Sequence, residues 1–126
     1  SSAARLVDAM LVTGFPYDRA SHLGPLLTML GECLKSSRGI LRLGAAALDF
    51  ATIASGHMDG FYEYGLRAWD VAAGALLVEE AGGRVTGFND EPLDLFNKRC
   101  VATNGKIHGE LLQAITVEGG ALSFPA

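Results

Sequence analysis

Two rhythms of apolar residues alternate along this chain. Short continuous runs predict buried strands, and stretches spaced at three and four residues predict amphipathic helices. Ala9-Met10-Leu11-Val12-Thr13 is the first run, ended by Gly14-Phe15-Pro16, because a proline disfavours helix in the residue before it. From about Asp18 to Leu34 the leucines at 23, 26, 27, 30 and 34 fall at helical spacing, predicting a helix packed on that strand, with Pro25 marking a later true start. Ile40 to Leu43 reads as a second strand. Gly44-Ala45-Ala46-Ala47 turns it into a small, apolar helix reaching Gly56. Asp59 to Tyr64 predicts a third strand and Trp69 to Ala81 the helix after it, closed by Gly82-Gly83, a pair suited to the left-handed turn that ends helices. Arg84 to Gly87 and Cys100 to Thr103 read as strands separated by a polar, proline-bearing stretch, and Ile107 to Ile115 as a last helix. Strands alternating with helices imply a layered α/β fold with a largely parallel sheet.

Composition narrows the class without changing that picture. The 126 residues suit one compact unit, 49% are hydrophobic and 19% charged, and no apolar run approaches the length of a membrane helix. A net charge of -4 without a Lys/Arg cluster makes nucleic acid an unfavoured partner. Cys33 and Cys100 lie far apart without CxxC spacing, so neither a disulfide framework nor a zinc site is indicated and a reduced, cytoplasmic setting is expected. Ser1-Ser2-Ala3-Ala4-Arg5 has neither an initiator methionine nor the design of a signal peptide, and reads as the middle of a longer protein.

The candidate chemistry centres on two acids. Glu63 lies on the aromatic strand Phe61-Tyr62-Glu63-Tyr64, sharing a face with Phe61 while Tyr62 and Tyr64 take the other, and Asp70 follows seven residues later at the start of a helix. In open α/β sheets ligands bind beyond the carboxyl ends of the strands, so if the second and third strands are parallel, Gly44 to Ala47, Glu63 and Asp70 share one edge. Such an edge offers a site for a cation and a polar ligand. Each part also has a plainer role. Asp70 reads as an N-cap, Glu63 as a solvated acid, and the small residues after Gly44 as an aid to close packing. Asp49, inside an apolar helix, reads as a partly buried acid paired with Arg42 or Arg67, and Arg84 as compensating Glu79 and Glu80 at a helix C-terminus. His22, His57 and His108 lack metal-ligand spacing and read as solvated or capping residues.

Taken together, Trp69-Asp70-Val71-Ala72-Ala73-Gly74 with Glu79-Glu80-Ala81-Gly82-Gly83 resembles the C-terminal signature of the inositol monophosphatase family. Gly14-Phe15-Pro16-Tyr17, Leu43-Gly44-Ala45-Ala46, Gly56-His57-Met58-Asp59-Gly60-Phe61-Tyr62-Glu63 and Ala102-Thr103-Asn104-Gly105 look like further landmarks of that family, so the resemblance covers essentially the whole chain.

The resemblance implies a layered sandwich and a Mg²⁺-dependent phosphomonoesterase of the lithium-sensitive superfamily, commonly a homodimer, acting on myo-inositol monophosphate or a related small sugar phosphate. By matched position Asp70 would be a metal ligand. Glu63 would receive substrate hydroxyls, and the backbone at Gly44, Ala45 and Ala46 would line the substrate. Ala45 stands where the family commonly has a hydroxyl side chain. The upstream glutamate and the Asp-Pro-x-Asp-Gly-Thr segment that supply most metal ligands in the family do not occur here. Residues 1–126 are therefore expected to form the C-terminal subdomain, inactive without a metal-binding N-terminal half. A noncatalytic binding or assembly module with the same fold, and a sugar bisphosphatase or nucleotide phosphatase of the same superfamily, are the alternatives.

Overall fold

The computed structural model describes residues 1–125. Its centre is a five-stranded sheet of β1 (Met10–Thr13), β2 (Gly39–Leu41), β3 (Gly60–Tyr64), β4 (Arg84–Thr86) and β5 (Arg99–Thr103), in the spatial order β2-β1-β3-β5-β4. β1 pairs in parallel with β2 and with β3, whereas β5 pairs antiparallel with both β3 and β4. β5 thus runs against the other four, and the largely parallel mixed sheet of the sequence reading stands.

Alternation along the strands sorts the core into two halves, because successive side chains leave opposite faces of a sheet. Leu11, Tyr62, Tyr64 and Val101 face one side, where α1 (Leu23–Ser36) and α4 (His108–Ile115) bring Leu26, Met29, Cys33, Leu111 and Ile115. Val12, Phe61, Cys100 and Ala102 face the other, where α2 (Ala46–Ala54) and α3 (Ala68–Glu80) bring Phe50, Ile53, Val71 and Val78. The result is three layers, helices on both faces of one sheet. Phe50 and Phe61 meet edge to face, their centroids 5.0 Å apart, and tie α2 to β3.

Most element boundaries fall within two residues of the sequence reading, but the first helix differs in form and in face. A 3₁₀ turn at Arg19–His22 precedes α1, which starts at Leu23 with Pro25 at its third position, where no intrahelical N–H is lost. The leucine stripe coincides with the buried face only at Leu26. Leu26, Met29 and Cys33 point into the core, while Leu23, Leu27 and Leu34 remain exposed. Met29 and Cys33 are apolar too, and the tertiary packing turned the helix toward them. The end of α3 follows expectation in detail: Gly82, at φ +88, donates its N–H to the Glu79 carbonyl and Gly83 to that of Val78, the paired bonds of a Schellman cap. Arg84 does not compensate Glu79 or Glu80, because it is turned away to Asp90 at 2.6 Å.

Candidate functional site

Because β1, β2 and β3 are parallel, their carboxyl ends open on one edge, and there the chain forms a cleft of about 740 Å³. One wall is the loop after β1, Phe15 to Asp18. The floor comes from Glu63 to Leu66 at the end of β3, with Ala46 at the start of α2. The first turn of α3, Arg67 to Asp70, forms a second wall, and Leu95, Phe96 and Lys98 from the segment before β5 close the rim. Glu63, Asp70 and Ala46 therefore come together as the edge argument required. Gly44 and Ala45 do not line the cleft; both are exposed at the mouth of α2, Gly44 with φ +89 and open space where a side chain would stand.

Asp70 is not an N-cap. Arg67 occupies that position, its extended backbone turning into the helix without any side-chain cap, and Asp70 sits three residues on, in the first turn. The half-buried Asp70 carboxylate has neither a hydrogen bond nor an ion pair among the described residues. The positive end of the helix dipole favours an anion there, and the carboxylate remains available to a hard cation.

Glu63 is only 9% exposed, and its carboxylate lies directly against Gly14; a methyl group added at that glycine would overlap the Glu63 Oε1. Glycine in the loop after β1 is what makes room for the acid. Burial pushes the Glu63 carboxyl up to about 7, with Asp49 and, less strongly, Asp70 adding to the rise and Arg42 opposing it. Near neutral pH Glu63 thus populates both forms, and can accept or donate a hydrogen bond.

Asp49 is the residue that sequence reasoning undervalued. It is 1% exposed, one helical turn beyond Ala46 and on the same inward face, with its neighbour Phe50 packed on Phe61 and Phe61 two residues before Glu63. It is fully rather than partly buried, and forms no ion pair with Arg42 or Arg67. Its Oδ1 has no hydrogen-bond partner among the described residues, and burial raises the carboxyl to about 6 against the pull of Arg42. A lone acid one turn inside an otherwise apolar helix was the available signal. The histidine reading also needs correction at one position: His108 is neither solvated nor a cap, but buried between two threonines.

The described residues contain no group of three or more His, Cys, Asp and Glu placed to hold a metal ion. Asp70 fits as one ligand of a metal centre and no more.

The inositol monophosphatase family profile matches residues 1–119. The inositol-1-monophosphatase of Synechocystis sp. is 44% identical over 115 residues, which are 91% of this chain and 40% of that protein. The Nus factor SuhB of Pseudomonas aeruginosa is 43% identical over 117 residues, 91% of this chain and 43% of that protein. Among solved structures, the inositol monophosphatase of Anabaena (Nostoc) sp. superposes with a TM-score of 0.87 at 42% identity, covering 90% of this chain and 45% of that one. The chain therefore spans less than half the length of these relatives, and over the matched residues its fold is that of the Anabaena structure. With the family profile spanning nearly all of its length, this chain belongs to the inositol monophosphatase family.

Proposed function

We propose that residues 1–126 are the C-terminal subdomain of a Mg²⁺-dependent phosphomonoesterase that hydrolyses myo-inositol monophosphate or a related small sugar phosphate. The observation that carries this reading is the arrival of an unpaired carboxylate, Asp70, and a buried, adjustable one, Glu63, in the same cleft at the carboxyl edge of the sheet. Asp70 would hold one metal ion from the first turn of α3, the remaining ligands coming from the other half of the enzyme. A Mg²⁺ so placed supplies charge neutralisation at the phosphate and a more acidic bound water. Glu63 contributes recognition: a carboxyl held against Gly14 in a nearly dry setting pairs strongly with a sugar hydroxyl and selects for its position. The backbone at Ala46, whose helix start has no side-chain cap, presents N–H groups to a phosphate or hydroxyl oxygen. The rest of the same protein is the required partner, and a cytoplasmic homodimer is the expected assembly.

The test uses the complete enzyme. Asp70→Asn should lower Mg²⁺-dependent phosphate release by at least about a hundredfold, more than loss of a ligand's outer-shell support would cost. Retention of near-normal rates at every Mg²⁺ concentration would remove Asp70 from the metal site. A noncatalytic binding or assembly module is the second reading. It is favoured by a relative that carries the name Nus factor. Wild-type enzyme that binds neither Mg²⁺ nor a sugar phosphate would decide for that module. Phosphate release from bisphosphates or nucleotides but not from inositol monophosphate would move the assignment to a neighbouring phosphatase.

A further inference from the structure

The cleft wall after β1 is held from the far end of the chain. Phe124, buried just after the 3₁₀ turn Ala121–Ser123, stacks on Tyr64 with ring centroids 3.9 Å apart and planes 9° from parallel. Tyr64 adjoins Glu63 in β3 and itself lines the cleft. The His22 ring meets Tyr64 edge-on at 5.2 Å and leans on Phe124 at 5.8 Å, and its Nε2 lies 3.1 Å from the Asp18 carboxylate, another cleft residue. Arg99 completes the latch: its guanidinium sits over Tyr64 at 5.3 Å while it donates hydrogen bonds to the Phe124 and Pro125 carbonyls. Aromatic stacking and a cation over the ring face are directional, so this cluster holds an orientation as well as burying area. The segment that it holds, Tyr17 to His22, is otherwise exposed and built only of short turns.

We propose that Phe124 is a positioning residue for the cleft: through Tyr64 and His22 it locks the Tyr17–His22 segment, and with it the Asp18 carboxylate of the cleft wall, into the geometry that receives the substrate. The proposal rests on the phosphatase reading for its kinetic consequence but not for its structural one, and the two are measured separately. In the complete enzyme, with myo-inositol 1-phosphate as probe, Phe124→Ala should raise KM roughly tenfold while kcat stays within about twofold, the pattern of lost ground-state binding. Phe124→Tyr, which keeps the ring, should restore KM. The second readout needs no activity: tryptic cleavage at the exposed Arg19 should quicken roughly fivefold in Phe124→Ala, whereas cleavage at Arg38, outside the latched wall, should not change. Arg19 and Arg38 cleaved faster in equal measure would show general destabilisation and overturn the proposal, as would an unchanged KM in an active enzyme. If the wild type turns over no sugar phosphate, the functional reading fails, and selective cleavage at Arg19 still decides whether Phe124 holds the wall.

Discussion

The two ends of β3 hold buried polar groups in opposite states. Toward its Gly60 end, level with Thr103 of β5, His108 lies between two threonine hydroxyls, each 2.8 Å from a ring nitrogen. Thr86 gives its hydroxyl proton to the Gly87 carbonyl and so accepts from Nε2–H. With the proton of the neutral ring on Nε2, Nδ1 accepts from the Thr103 hydroxyl, whose oxygen also takes the Gly105 N–H. Every group is satisfied by a neutral imidazole of one tautomer, and burial, with Arg84 nearby, holds His108 down to about 4. At the Glu63 end, Asp49 has a buried oxygen with no partner and Glu63 has no hydrogen bond among the described residues. A fully satisfied network stabilises and specifies, while an unsatisfied one costs stability and persists where a ligand or partner completes it. The unfinished end is the one with the cleft.

That contrast predicts mutational effects of opposite sign. His108→Ala should be the larger, destabilising by about 2–4 kcal/mol in chemical denaturation, since it opens a cavity and takes from the buried Thr103 hydroxyl the acceptor of its proton. A loss below about 1 kcal/mol would mean that the network contributes little. Asp49→Asn, measured at pH 8, should stabilise by on the order of 1 kcal/mol, because a carboxyl raised from 3.8 to about 6 is ionised there at a net cost to the folded state. Destabilisation instead would show that attraction to Arg42 outweighs burial.

The pH dependence sharpens the same comparison with a smaller signal. His108 titrates lower in the folded chain than its ordinary 6.5, so its contribution is present above that pH and is lost as pH falls toward 4. Glu63 and Asp49 titrate higher than their ordinary 4.5 and 3.8, so their contribution is present at low pH and is lost as pH rises through about 6 to 7. The two ends partly cancel in the wild type. Unfolding free energies from pH 4 to pH 8 should therefore fall with pH in His108→Ala and rise with pH in Asp49→Asn combined with Glu63→Gln. Parallel profiles in the two variants would break the comparison.

How much of this could be read in advance depends on the range of the interactions involved. The strands and helices were legible because alternation in runs such as Phe61-Tyr62 and the Gly82-Gly83 stop are local signals. Glu63 and Asp70 were legible through a short signature and the rule about strand ends, and the parallel pairing of β1 with β2 and β3 brought them together. The face of α1 was not, because Leu27 and Cys33 are both apolar and only the position of α4 distinguishes them. Nor was Asp70's place in its helix, which an N-cap at Arg67 moved inward by a turn.

The sequence by itself determined the alternating α/β plan, the family and the two acids at the strand-to-helix crossing, since each rests on spacing within a few residues. Only the tertiary structure decided that Asp49 lies buried on the same side of β3 as Glu63, that Gly14 makes room for that carboxylate, and that Phe124 reaches Tyr64 from sixty residues away. Burial, desolvation and ring stacking depend on which surfaces the folded chain brings together, and no local pattern encodes that.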